Sequence, residues 1–251
     1  MELRPGLNRI GNDIVACYLV SDDDGITLID AGIPGQWHDF LDELKAMGRP
    51  IEDVRGIVLT HGDSDHIGFA EKLRTEHGIP VYVHEADAAR ARGEGKSSGA
   101  WGSMRLGPTL GFLWYSARRG GLRPVYVKEV VAVQAGETLP LPGSPVIISM
   151  PGHSPGSIAV HVPEVDAVFV GDALTTRNVL TGVEGPAPAP FTDDPASALE
   201  ALGHLTGLGV TWVLPGHGAP WSGGVDEAVR LVRAAADASG GSDAAGDERA
   251  A

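Results

Sequence analysis

Gly56-Ile57-Val58-Leu59-Thr60 runs without a break into His61-Gly62-Asp63-Ser64-Asp65-His66, and Ile67-Gly68-Phe69-Ala70 then opens a helical pattern. The first five residues read as a buried strand. The next six place four potential metal ligands at its end. In an extended turn, residues two apart project to one side, so His61, Asp63 and Asp65 can converge while His66 turns to a neighbouring position. Imidazole and carboxylate without thiolate suit zinc, and also iron or manganese.

Three more fragments repeat this design, a β-run breaking into a glycine turn that presents one polar group. They are Met150-Pro-Gly-His153-Ser-Pro-Gly, Phe169-Val-Gly-Asp172-Ala and Val213-Leu-Pro-Gly-His217-Gly. Glycine permits the close approach an inward ligand needs, and proline fixes the turn. Seven candidate ligands thus sit at strand ends. Further β-branched runs are Ile14 to Val20, Ile26 to Asp30, Pro80 to Val83, Val125 to Val133, Val146 to Met150, Ser157 to Val162 and Ala167 to Val170. Helical patterns lie at Trp37 to Met47, Gly68 to His77, Glu85 to Arg92, Pro195 to Leu205 and Val225 to Ala236, so strands and helices alternate in a mixed α/β (α+β) chain.

These fragments, in this order and spacing from about Ile14 to Trp221, resemble the metallo-β-lactamase superfamily, in particular its glyoxalase II-like and lactonase-like hydrolases. The family pattern is His-x-His-x-Asp-His, then a distant His, a distant Asp after a strand, and a last His in a Pro-Gly-His-Gly turn. The resemblance implies a four-layer αββα sandwich with a metal site at one edge. It further implies His61, position 63 and His153 on a first metal ion, Asp65, His66 and His217 on a second, and Asp172 bridging them. The implied cofactors are two divalent ions, zinc foremost, with manganese or iron as alternatives. The implied activity is hydrolysis of an ester, thioester, lactone or related acyl bond by a metal-bound hydroxide, with Asp65 steering it and carrying a proton. β-Lactam cleavage is mechanistically close but is less favoured, because no export signal is visible. Two other readings stay open: a mononuclear iron dioxygenase of the persulfide dioxygenase type, and a non-catalytic metal-binding protein.

Asp63 departs from the family pattern, which has histidine there. It can coordinate through oxygen, or it can accept a hydrogen bond from a ligand histidine. As a ligand it changes the charge: three aspartates and a hydroxide cancel two divalent cations, whereas histidine at 63 leaves one positive charge. The extra carboxylate is expected to weaken the first ion as a Lewis acid and to shift preference towards manganese or iron. Asp30, at a strand end, fits both an acceptor for a ligand histidine and a turn cap, and is left without a role. His38, His77, His84, His161 and His204 fall in helical or strand patterns outside the turns, and most of them read as surface residues.

The chain has 251 residues, of which 43% are hydrophobic and 21% charged, a composition that excludes a highly charged disordered chain. No apolar run approaches the roughly 18 residues of a membrane span. With 19 Lys+Arg against 33 Asp+Glu, the net charge of −14 opposes general nucleic-acid binding. The single cysteine, Cys17, excludes an intramolecular disulfide framework and reads as a core thiol. The expected partner is a small molecule, with no nucleic acid and no membrane, and the expected compartment is the cytoplasm.

One domain is expected over residues 1–236, with a basic and aromatic insertion at about 90–124 and a disordered tail over 237–251. From Arg90 to Lys128 there are eight basic residues and one acidic. With Trp101, Phe112, Leu113, Trp114 and Tyr115, this segment reads as an amphipathic helix or as a lid whose charge favours an anionic substrate. The loop Gly182 to Asp194, rich in proline and glycine, is a candidate second wall.

Overall fold

The computed structural model describes residues 1–95, 98–99 and 101–247, with side chains up to residue 238. Strands β1 (Glu2–Arg4), β2 (Leu7–Gly11), β3 (Ala16–Asp22) and β4 (Gly25–Ile29) make an antiparallel meander. After helix α1 (Trp37–Ala46), β5 (Val54–Val58) pairs parallel with β4. Helix α2 (Ala70–His77) leads to β6 (Val81–His84), and the short α3 (Ala88–Ala91) and α4 (Leu106–Arg118) precede β7 (Val131–Val133). The result is a seven-stranded sheet in chain order whose last four strands are parallel.

A second sheet holds β8 (Val146–Ser149), β9 (Ile158–Val162) and β10 (Ala167–Gly171). A separate ribbon, β11 (Thr175–Arg177) with β12 (Glu184–Ala187), and helix α5 (Pro195–Ala201) come before its last strand, β13 (Trp212–Pro215). Helix α6 (Val225–Asp247) closes the described chain.

Two-residue alternation sorts the strands' side chains between layers. On β3, Cys17 and Leu19 face Phe40 of α1 and Leu73 of α2, whereas Tyr18 and Val20 face the other sheet. On β10, Phe169 points inward to Tyr18, and Val168 and Val170 point out to Val225, Val229 and Val232 of α6. Three apolar layers therefore separate helix, sheet, sheet and helix, which is the αββα sandwich. Cys17 is a fully buried free thiol. No helix among the described residues is long and apolar enough to cross a membrane.

Several elements differ from their sequence patterns for physical reasons. β1 and β2 carry little apolar signal because Asn8 and Arg9 are buried through partners: Asn8 donates to Glu43 (2.7 Å), and Arg9 to Asp13 (2.9 Å) and the Gly218 carbonyl (2.8 Å). Of the run Val125 to Val133 only the last three residues pair, against β6. Helix α6 continues through residues 237–247, where an irregular tail is expected, because elongating a packed helix adds one hydrogen bond per residue fixed. Residues 248–251 of that tail lie outside the described residues.

Phe169 joins the two sheets through an edge contact with Tyr18, ring centroids 5.4 Å apart, and the Tyr18 hydroxyl donates to the Pro215 carbonyl at 2.8 Å. Phe169→Ala is expected to lower unfolding free energy by about 3–5 kcal/mol in urea titration. A loss under about 1 kcal/mol would contradict this placement of the inter-sheet core.

Candidate metal centre

Strand direction brings the ligand turns together. β9 is antiparallel to both β8 and β10, and β10 is parallel to β13, so β8, β10 and β13 all end at one edge of their sheet. His153, Asp172 and His217 follow those three ends. In the other sheet, Asp30 follows β4, His61 follows β5, and Asp87 follows β6, again at parallel ends. Close approach demands glycine twice here: a side chain on Gly216 would strike His66 and Asp172, and Gly171, at φ +50, lies against Thr60. Asp87, fully buried, ties two turns by accepting from the Gly62 and Gly156 amides (both 2.8 Å) and from Ser154 Oγ (2.7 Å).

All four imidazoles of the centre are held by Nδ1. Asp30 accepts from the Thr60 amide (2.7 Å) and from Thr60 Oγ1 (2.8 Å), and its Oδ2 also receives His66 Nδ1–H at 2.9 Å. Thr60 Oγ1, with its proton given to Asp30, accepts from His61 Nδ1 at 3.1 Å. Thr192 Oγ1 donates to the Ala189 carbonyl (2.9 Å) and accepts from His153 Nδ1 at 3.3 Å. The Ile14 carbonyl accepts from His217 Nδ1. Each ring thus turns Nε2 inward, and a neutral imidazole protonated on Nδ1 has its lone pair there.

The carboxylates complete two sets of donors. His61, Asp63 and His153 form one and Asp65, His66 and His217 the other, with ligand atoms inside each set within 4.8 Å of one another. Asp172 reaches both sets: its Oδ2 lies 3.1 Å from His217 Nε2 and 3.7 Å from His153 Nε2, and its Oδ1 lies 3.6 Å from His66 Nε2. His61 Nε2, His66 Nε2 and Asp172 Oδ1 are buried without a hydrogen-bond partner among the described residues. Buried polar atoms are rarely left so, and imidazole nitrogens with carboxylates are the donor chemistry of zinc, iron or manganese. The residues fit a divalent metal.

Electrostatics agree with a site that gathers positive charge. Burial would lower His66, but Asp30 and Asp172 carry it up to about 9, and Asp172 and Asp65 raise His217 well above its ordinary value. Burial and the neighbouring imidazoles push His61 down. Against burial, His153, His61 and Arg90 hold the Asp63 carboxyl far below the usual carboxylate range.

Arg90 is the functional residue the sequence does not disclose. Its side chain is only 7% exposed, and it holds both Asp63 oxygens, Nε on Oδ1 and Nη2 on Oδ2 (2.9 Å), while Nη1 pairs with Asp193 at 2.6 Å. Asp63 Oδ2 still lies 3.3 Å from His153 Nε2 and 3.6 Å from His61 Nε2. The carboxylate that replaces the family's histidine therefore has a counter-charge, which it shares with Asp193, so its negative charge on the first set is offset in part. Asp30, without an assigned role in the sequence, orients His66 directly and His61 through Thr60.

A cavity of about 410 Å³ opens above the centre, with Asp63, Asp65, His153, Asp172 and His217 in its lining. The segment from Arg90 to Lys128 does border it, through Trp101, Phe112, Leu113 and Leu122, and the loop from Gly182 to Asp194 borders it through Phe191. Among the described residues no basic side chain of that segment is in the lining. Arg118 stacks on exposed Trp114, Arg119 pairs with Asp39, and Arg90 lies behind Asp63; Lys96 lies outside the described residues.

Residues 10–217 match the model of the metallo-beta-lactamase superfamily, and the chain belongs to that superfamily. Similar proteins include the "probable metallo-hydrolase YflN" of Bacillus subtilis, 28% identical over 241 residues that cover 88% of this chain and 87% of that one. The uncharacterized protein Rv2581c of Mycobacterium tuberculosis is 33% identical over 170 residues, 64% of this chain and 68% of its own. Among solved structures, the metallo-beta-lactamase family protein TTHA1429 of Thermus thermophilus superposes with a TM-score of 0.69 at 22% identity, covering 94% of this chain and 81% of that one. TTHA1623, solved in a di-iron-bound form, has a TM-score of 0.61 at 27% identity, covering 88% and 96%.

Asp63→His is expected to leave the buried guanidinium of Arg90 facing imidazoles. Breaking a buried pair from one side costs about 3–5 kcal/mol, and the remaining Asp193 contact moderates the loss to about 3 kcal/mol or less. In urea titration of metal-free protein, Asp63→His should unfold earlier and Asp63→His/Arg90→Met should recover most of the difference. Equal midpoints for wild type and the single variant would contradict the pairing.

Proposed function

We propose that this protein is a hydrolase that uses two divalent metal ions, zinc or else manganese or iron, to cleave an ester, thioester, lactone or related acyl bond of a small molecule. Convergence of four inward imidazole Nε2 atoms and three carboxylates, of which His153, His217 and the carboxylates line one cavity, carries this reading. His61, Asp63 and His153 would hold one ion, Asp65, His66 and His217 the other, with Asp172 shared. Bound there, the ions would acidify water and polarise a carbonyl oxygen.

The chain's own residues supply the remaining functions. Asp65 lines the cavity and its Oδ2 stands 3.4 Å from His217 Nε2, so it is placed to orient the attacking water, take its proton and pass it to the leaving group. Burial opposes its ionisation, but His217 and His66 keep its carboxyl below the usual range, so at neutral pH it is ionised and able to accept that proton. Ile33, Phe112, Leu113 and Phe191 limit bulk water around the reacting bond. Among the described residues the lining contains three aspartates, whose charge would be offset by the bound ions, and neither lysine nor arginine to pair with a further anionic group, which supports a neutral substrate. A single buried cysteine suits the reducing cytoplasm, where we place the activity.

The test is metal analysis of the purified protein coupled to turnover of neutral esters, thioesters and lactones under anaerobic conditions. Two ions per chain and oxygen-independent hydrolysis are expected, with kcat lowered about 10²- to 10⁴-fold in Asp65→Asn. Single-iron occupancy with oxygen-dependent turnover would replace this reading with a dioxygenase. Bound metal without turnover of any acyl substrate would leave a metal-binding protein.

A further inference from the structure

A second cavity of about 500 Å³ adjoins the first, and the two share the lining residues Trp101 and Phe191. Those rings meet edge to face, centroids 5.2 Å apart at 81°, and Phe112 lies 6.5 Å from Phe191 on the metal side. The two chambers differ sharply in chemistry. Among the described residues every carboxylate in either lining belongs to the metal-side cavity, whereas the second is walled mainly by Pro188, Ala189, Ala198 and Leu199 with Val232 and Ala236 of α6, its polar members Ser103, Asn178 and Thr192 being uncharged.

Phe191 is held at this junction against its own backbone preference. Its φ of +60 is uncommon for a bulky side chain, a conformation that persists only where the surroundings impose it. The surroundings here are specific. Thr192 is fixed by the Ala189 carbonyl and His153, Asp193 is fixed by Arg90 and the Ser98 amide (2.7 Å), and Gly99 lies close against the Phe191 backbone. The ligand set that carries His153 and the Asp63–Arg90 pair thus also holds the aromatic partition beside it.

We infer that the second cavity is a subsite for the unbranched apolar tail of an acyl substrate, whose carbonyl lies at the metal side of the Trp101–Phe191 partition. The inference rests on the hydrolase reading and names its substrate class: neutral medium- to long-chain acyl compounds. Adjacency to the reacting cavity across the shared Trp101 and Phe191 rings selects this occupant. A tail entering past the partition buries methylenes against the apolar part of the wall, while a charged group there would lose water without gaining a counter-charge among the described lining residues.

Two measurements test this, one independent of turnover. With the metal-loaded protein, kcat/KM for nitrophenyl esters should rise about tenfold or more from butanoyl to octanoyl, since each buried methylene favours binding. Ala236→Trp, which fills the second cavity from α6, should reduce the octanoyl-to-butanoyl ratio about tenfold. Calorimetric titration with decanamide and butanamide supplies the second measurement, where decanamide should bind wild type and lose at least about tenfold in Ala236→Trp while the variant keeps the wild-type circular dichroism spectrum. Ester hydrolysis with no chain-length dependence, together with decanamide binding unchanged by Ala236→Trp, would overturn the subsite and leave the hydrolase reading standing. Decanamide binding that is lost in Ala236→Trp, in a protein that hydrolyses no ester, would support the subsite and remove the hydrolase reading. Failure of decanamide to bind wild type would overturn the subsite.

Discussion

One buried carboxylate organises the centre. Asp30, 3% exposed at the end of β4, takes three hydrogen bonds, two from Thr60 and one from His66. Through them it fixes the turn after β5 and orients two imidazoles, His66 directly and His61 by way of the Thr60 hydroxyl. Those contacts exist only because β4 and β5 are parallel neighbours that end together. Carbonyl and hydroxyl acceptors on Ile14 and Thr192 do the same for His217 and His153. Orientation of metal ligands by such outer partners is a general requirement of metal sites, and here those partners come from loops well separated along the chain.

This arrangement explains which features are legible in the sequence. Ligand-bearing turns are local: a β-run, a glycine and a polar residue stand together, so His61, Asp65, His66, His153, Asp172 and His217 can be picked out from short fragments. The layered fold is implied by the family resemblance that those fragments carry, whereas the sorting of Cys17 and Leu19 from Tyr18 and Val20 is not visible in a run that is apolar on both faces. Residues that act through distant partners are not legible in this way. Asp30 lies 36 residues from His66, and Arg90 lies 27 from Asp63; neither spacing repeats a motif. Strands β1 and β2 are obscured because Asn8 and Arg9 enter the interior by pairing instead of by hydrophobicity.

Asp63 shows how a local reading can be right about a residue and incomplete about its consequence. An added carboxylate among metal ligands lowers the net charge of the centre when counted from the ligands alone. Arg90, bridging Asp63 and Asp193, offsets part of that addition and links the first ligand set to the loop that carries Phe191. The same guanidinium accounts for part of the conspicuous charge of residues 90–128, none of which, among the described residues, enters the cavity lining, where the segment's apolar rings stand instead. A polar, ligand-rich floor under apolar walls suits a substrate with one polarisable bond on an otherwise apolar frame.

The central claim is that imidazoles pinned at Nδ1 present Nε2 to metal ions. Anomalous diffraction at the metal absorption edge, from crystals of metal-loaded protein, tests it most directly. Two anomalous peaks are expected, one bonded by His61 and His153 and the other by His66 and His217, in every case through Nε2. Coordination through Nδ1 of any of these rings, or metal bound away from the two sets, would contradict the account.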